Sequence, residues 1–252
     1  MRLIAFKVLL PPILILLASL AARRWGDAIG GWLVGLPLTS GPIVAFLAIQ
    51  YGPEFAVRAS DGSLVGAAGQ ACFSLGYALL ARRGWAVALI AGSAAYACAA
   101  ALLEAMPLPQ WGLFIMAVAS LSLAAKLIPH QCHPPSAIPA PWWDLPARMV
   151  VATALVVGIP AIAPFVGAQT AGALSSFPIF GATLTIFAHL MKGPVMARQV
   201  LRGLVLALYG FAVCFFMLGL LLVKVGIIPA VIAATLSTIV VQGAALRIIR
   251  RG

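Results

Sequence analysis

Charge is what this sequence has least of. Lys, Arg, Asp and Glu make up 8% of its 252 residues, and only five residues are acidic. Soluble domains carry roughly 25% charged residues, so a water-soluble fold would have too little charge to cover its surface. Cysteine is scarce as well. Of four cysteines, Cys72, Cys98 and Cys214 fall inside apolar blocks and only Cys132 lies between them, which excludes a disulfide scaffold. Walker loop, HExxH, GxSxG, zinc-finger and RNA-binding signatures are missing. Glu104 and Asp144 cannot be read as a catalytic pair, because nothing in the sequence places them together. The expectation is therefore a protein that is not an enzyme, with no catalytic residues, no metal and no cofactor.

What is present is apolar. Hydrophobic residues make up 63% of the chain, and they come in blocks near the twenty residues that span a bilayer. Nine blocks stand out, at about 3–22, 28–50, 63–81, 85–104, 110–128, 147–166, 171–191, 203–223 and 226–247. They predict an all-α polytopic membrane protein with about nine transmembrane helices, here segments 1 to 9. The first block, with its early Arg2 and Lys7, imitates a signal peptide. Its length, the following Arg23 and Arg24, and a counterpart in "VVATALVVGIPAIAP" favour a retained helix.

Net charge is +11, yet the cations lie in short stretches between the blocks, as orientation-setting charges do. A nucleic-acid partner is not expected; the lipid bilayer is. With the N-terminus outside, twelve cations fall inside and four outside (Arg2, Lys7, Arg58 and Lys224). That bias predicts an outside N-terminus and a cytoplasmic C-terminus.

Two eighteen-residue stretches share a pattern. "LPLTSGPIVAFLAIQYGP" starts at Leu36 and "FPIFGATLTIFAHLMKGP" at Phe177, each with proline second, phenylalanine eleventh and Gly-Pro last. The offset is 178 − 37 = 141 residues. At that offset segments 1 to 4 fall on segments 6 to 9, and Gly26, Gly62 and Gly69 fall on Gly167, Gly203 and Gly210. Segment 5 has no partner. Five crossings separate the halves, an odd number, so the second half enters from the opposite side. The expected plan is two inverted repeats (4+1+4): residues 1–128 as the first repeat plus helix 5, 129–146 as a Pro-rich connecting loop, and 147–252 as the second repeat.

Proline and glycine in mid-membrane free backbone groups that lipid cannot satisfy. Segments 2 and 7 are therefore expected to be interrupted helices. Their breaks hold Pro37, Thr39, Ser40, Gly41 and Pro42 in one half, and Ser175, Ser176, Pro178, Gly181 and Thr183 in the other. Half-helix N-termini and hydroxyls at such breaks suit a small polar or anionic solute. The competing reading is an ordinary proline kink repacked against neighbours. His189, an ionisable group inside segment 7, is the candidate for proton coupling; its plainer reading is a neutral histidine bonded to a carbonyl near the interface. Gln50 and Gln70 are weaker candidates of the same kind. "HQCH" (His130–His133) places two imidazoles and a thiol close together but lacks the second cluster a zinc site needs.

The stretches "GLPLTSGP", "PWWDLPARM" and "FPIFGATLTIFAHLMKGP" resemble an uncharacterised family of bacterial polytopic inner-membrane proteins. The resemblance covers most of the chain, implies a bacterial inner-membrane location, and implies no substrate. The plan is also similar to inverted-repeat secondary transporters with five-helix repeats, from which this chain departs by lacking a tenth helix. The expected function is a secondary transporter or exporter of a small polar or anionic solute. The alternative is a non-transporting membrane subunit or scaffold. Assembly as a homo-oligomer is left open.

Overall fold

The structure, a computed structural model, describes residues 40–129 and 144–251, together with Leu9, Ile13 and Leu16 as single helical positions. Every regular element among the described residues is a helix: α1 Ser40–Tyr51, α2 Pro53–Leu80, α3 Trp85–Glu104, α4 Gln110–Leu127, α5 Asp144–Val166, α6 Ala168–Ser175, α7 Ile179–Val225 and α8 Ile227–Arg251. A 3-10 turn, Ala81–Arg83, extends α2. Five helical stretches are long and apolar enough to cross a membrane: Pro53–Arg83, Trp85–Glu104, Gln110–Leu127, Met149–Val166 and Ala168–Val225. Ser40–Tyr51 and Ile227–Gly243 are shorter apolar helices. This is the architecture of a helical membrane protein.

The chain turns between helices on single glycines. Gly52, Gly84, Gly167, Gly193 and Gly226 have φ of 90°, 104°, 88°, 81° and 84°, and no other described residue has positive φ. Each ends one helix and starts the next, so a corner needs one residue and no loop. At Gly193 a Cβ would meet no atom within 4 Å. What demands glycine there is the backbone conformation, not space. The Gly193 corner divides α7 into two limbs, 179–192 and 194–225.

These corners explain where the observed helices depart from the sequence blocks. Segments 4 and 5 match α3 and α4. Segment 3 was expected from residue 63, but α2 starts at Pro53, directly after Gly52 and with proline in its first turn, where the missing N–H has no partner to lose. Glu54, Arg58 and Asp61, read as loop residues, ride on that helix instead. Segment 7 is split: α6 holds its first part, the first limb of α7 the rest. Segment 8 is the second limb. The stretch Ala168–Val225 has 58 residues; at about 1.5 Å per residue it is far longer than one crossing of a roughly 30 Å core.

α2 is the central helix. Of its most apolar window 72% is buried, against 22% for α3 and for α4. It packs against α3, α4, α6 and α7. Gly66 abuts Ser176, Tyr77 meets His189, and Ala78 meets Arg198. From Gly66–Ser176 to Tyr77–His189 the numbers rise together, so α2 runs in the same direction as α6 and the first limb of α7. α4 and the second limb run oppositely: Gln110 Nε2 donates to the Phe216 carbonyl (3.0 Å), and Arg202 donates to the carbonyls of Ala125 and Ile128 (3.1 Å each).

Helices approach most closely where α2 crosses α6. A Cβ on Gly62 would overlap the Gln169 carbonyl, and one on Gly172 would overlap that of Ala59. Ala56, Ala59, Ser60, Ser63 and Gly66 complete the buried small-residue face. Such faces let membrane helices gain packing contacts where no hydrophobic driving force exists between them.

Gly193→Ala should lower stability by about 1–3 kcal/mol through backbone strain alone. Gly203→Ala, inside a helix with open space around it, should be neutral or slightly stabilising. Denaturant unfolding in micelles checks both; equal effects would contradict the assignment of strain to the corner.

Candidate functional site at the break between α6 and α7

α6 ends at Ser175, and α7 begins at Ile179. Between them Ser176, Phe177 and Pro178 are non-helical. Pro178 cannot donate a backbone hydrogen bond, so the helix cannot run through it unbroken. The break deprives the last carbonyls of α6 of their regular helical partners, among buried residues.

Side chains take up those carbonyls. Ser40, the first described residue of α1, donates from Oγ to the Ser175 carbonyl at 2.8 Å. Tyr96 of α3 donates to the Ala173 carbonyl at 2.7 Å. The Ser175 and Ser176 hydroxyls both bond the Gly172 carbonyl, at 2.7 and 3.0 Å. The backbone N–H groups of Ser176 and Phe177 turn back to Ala173 and Leu174. Ser40, Ser175 and Ser176 are all at most 5% exposed. Phe177 closes the break, packed edge-on against Tyr96 and Phe73 with ring centroids 5.1 and 6.4 Å away.

The structure thus brings Ser40 together with Ser175 and Ser176. Gly41 and Pro42 are helical residues of α1, and Gly181 and Thr183 are helical residues of α7. The described parts of the expected breaks are therefore shorter than the sequence suggests: Ser40, Gly41 and Pro42 of segment 2 are helical, and so are Gly181 and Thr183 of segment 7, because a helix accepts glycine and threonine once Pro178 has set its start. Gly181 lies under Leu204, whose Cδ2 would stand 2.7 Å from an added Cβ. Thr183 donates to the Ile179 carbonyl at 2.8 Å. Pro37 and Thr39 lie outside the described residues, as do His130, Cys132 and His133.

His189 sits ten residues beyond the break, partly exposed, its Nδ1 3.1 Å from the hydroxyl of the fully buried Tyr77. It therefore pairs with a side chain rather than with a carbonyl, and it stands apart from the break's hydroxyl cluster. At the other end of α6, Thr170 donates to Glu104 Oε2 at 3.1 Å. The buried Oε1 of Glu104 and Oδ1 of Asp61 have no hydrogen-bond partner, nor does the side-chain amide of Gln242 beside Gly210.

Sequence reading missed the tyrosines. The chain has four, and each bonds another helix: Tyr51 to the Pro160 carbonyl, Tyr77 to His189, Tyr96 to the Ala173 carbonyl and Tyr209 to Ser122. The signal was available, since a tyrosine within an apolar span must find a partner for its hydroxyl. Tyr51 shows the logic. Pro164 has no N–H for the carbonyl four residues back, that of Pro160, and Tyr51 supplies the donor at 2.7 Å.

No protein-family model, curated protein or solved structure matches this chain. The site is accordingly read from its own geometry.

Tyr96→Phe should destabilise the protein by about 0.5–1.5 kcal/mol, because it removes the inter-helix donor to the Ala173 carbonyl while keeping the ring contacts and the bond from the Ser176 N–H. Tyr51→Phe should cost at least as much, because Tyr51 supplies the donor that Pro164 lacks for the Pro160 carbonyl. Thermal unfolding of the purified variants measures both; no loss for either variant would contradict the role given to the tyrosine hydroxyls in joining helices.

Proposed function

We propose that this protein is a secondary transporter or exporter of a small polar or anionic solute, and that the break between α6 and α7 is part of its solute path. The observation that carries the reading is an interrupted membrane helix whose freed carbonyls are held by exchangeable side-chain hydroxyls. Interrupted helices at corresponding points of two repeats mark transporter sites. Hydroxyl caps can be traded for a solute or water at low cost, whereas a continuous helix offers nothing to trade. The unpaired carboxylate oxygens of Asp61 and Glu104, both adjoining the start of α6, support a polar path at that end, since ionisable groups in membranes are expensive.

The inverted repeat belongs to the same proposal. Gly52 and Gly193 are 193 − 52 = 141 residues apart, both have positive φ, and both precede proline. The parallel run of α2 with α6 supports opposite entry of the second half. In this reading Ala168–Val225 crosses twice and α1 completes segment 2. The protein lies in a bacterial inner membrane with its N-terminus outside and its C-terminus in the cytoplasm. Arg82, Arg198 and Arg202 share one end of the bundle, which the positive-inside bias makes cytoplasmic.

A second reading, the non-transporting subunit or scaffold, has its own support: the serines of the break are buried, with their hydroxyls bonded to backbone. The two readings differ in motion. In a protein whose native cysteines are replaced, Ser176→Cys in a folded transporter should react with a small water-soluble thiol reagent as the site opens. A scaffold should leave it unreactive until unfolding. Cells with and without the protein should also differ in the small polar metabolites they release; no difference together with an inert Ser176→Cys would favour the scaffold.

A further inference from the structure

A cleft of about 320 Å³ lies at the end of the bundle opposite Glu54 and Glu104, where α2 finishes, α4 finishes and the second limb of α7 begins. One wall is apolar, made by Leu75, Leu79, Leu127 and Pro129; Arg82 and Arg198 supply the other. Leu79 and Leu127 are 67% and 51% exposed, so the apolar wall is continuous with the lipid-facing surface of the bundle. Arg82 lies in the turn that follows the last α2 residues. Arg198 is held in place: its Nε donates to the Ala78 carbonyl at 3.0 Å.

We propose that this cleft binds an anionic phospholipid of the surrounding membrane, with the phosphate on Arg82 and Arg198 and the first part of an acyl chain along Leu75, Leu79 and Leu127. Three features select this occupant. The cleft opens where hydrocarbon gives way to head groups, because exposed leucines and arginines meet at its rim. Two guanidiniums suit a phosphate diester, which they bind through paired N–H groups. The apolar wall gives a free inorganic anion nothing to contact, but it matches a lipid chain. Basic pockets between membrane helices on the cytoplasmic side are known to recognise anionic head groups in this way. The site uses no residue of the α6–α7 break, so it stands or falls independently of transport.

The test titrates the purified full chain in neutral detergent with phosphatidylglycerol, with phosphatidylcholine and with inorganic phosphate, and counts bound lipid by native mass spectrometry. Phosphatidylglycerol should bind at least about tenfold more tightly than phosphatidylcholine, as two charge contacts require. Arg82→Gln, at an exposed position, should weaken that binding about fivefold. Leu79→Trp should abolish it with both arginines in place. Arg83→Gln, at an exposed neighbour outside the cleft, should change it less than about twofold. Equal binding of the two lipids would overturn the proposal, as would equal effects of Arg82→Gln and Arg83→Gln. Stabilisation by inorganic phosphate that matches phosphatidylglycerol and survives Leu79→Trp would assign the site to a free anion and overturn the lipid. Should Leu79→Trp fail to fold, the Arg82→Gln and Arg83→Gln pair still decides.

Discussion

A backbone carbonyl in hydrocarbon must have a donor, and most of this structure follows from where those donors come from. A continuous helix supplies its own. This chain places proline, glycine corners and a broken helix inside its spans, so several carbonyls lose their helical partner. In several described cases a side chain from another helix supplies a donor, and at Gly172 the serines of the break itself do so. Tyr51 serves Pro160, Tyr96 serves Ala173, Ser40 serves Ser175, Arg198 serves Ala78, and Arg202 serves both Ala125 and Ile128. Each of these bonds ties two helices together at a fixed register. Bonds from the two arginines are charge-assisted, worth about 1.5–3 kcal/mol where a neutral one is worth about 1.

The same constraint shapes the packing. Capping across helices works only if the helices are close, and the Gly62–Gly172 crossing brings α2 and α6 to near backbone contact. That contact fixes the end of α6 beside Tyr96 and Ser40. Sequence, packing and site are thus one chain of cause: small residues permit the approach, the approach places the hydroxyls, and the hydroxyls satisfy the break that Pro178 creates.

Much of this was legible in the sequence, and what was not has a physical reason. Composition gave the helical membrane class, and block length gave α3 and α4 to within a residue. The break at Ser176–Pro178 was visible because proline's missing donor is a local property. The start of α2 was misplaced by ten residues because Asp61, Arg58 and Glu54 look like a loop; a one-residue glycine corner lets a helix begin among charges, with Glu54 and Arg58 exposed and Asp61 half-buried. The Gly62–Gly66 face and the tyrosine caps went unread because both depend on which helices become neighbours. That is a tertiary fact: Gly203 is also a glycine inside a helix, yet it faces open space. His189 stood as a proton-coupling candidate, with a carbonyl-bonded histidine as the plainer alternative, and the partner it meets is Tyr77.

The central claim is that Ala168–Val225 is two crossings hinged at Gly193, with the break buried inside the first. Sided thiol labelling tests it most directly. Single cysteines placed at Gln169, Lys192 and Lys224 in a background without native cysteines would be exposed to an impermeant reagent, first in intact cells and then in inverted vesicles. The account predicts that positions 169 and 224 react from the outside and position 192 from the cytoplasmic side. Positions 192 and 224 reacting from the same side would contradict it, because the second limb of α7 would then not cross the membrane.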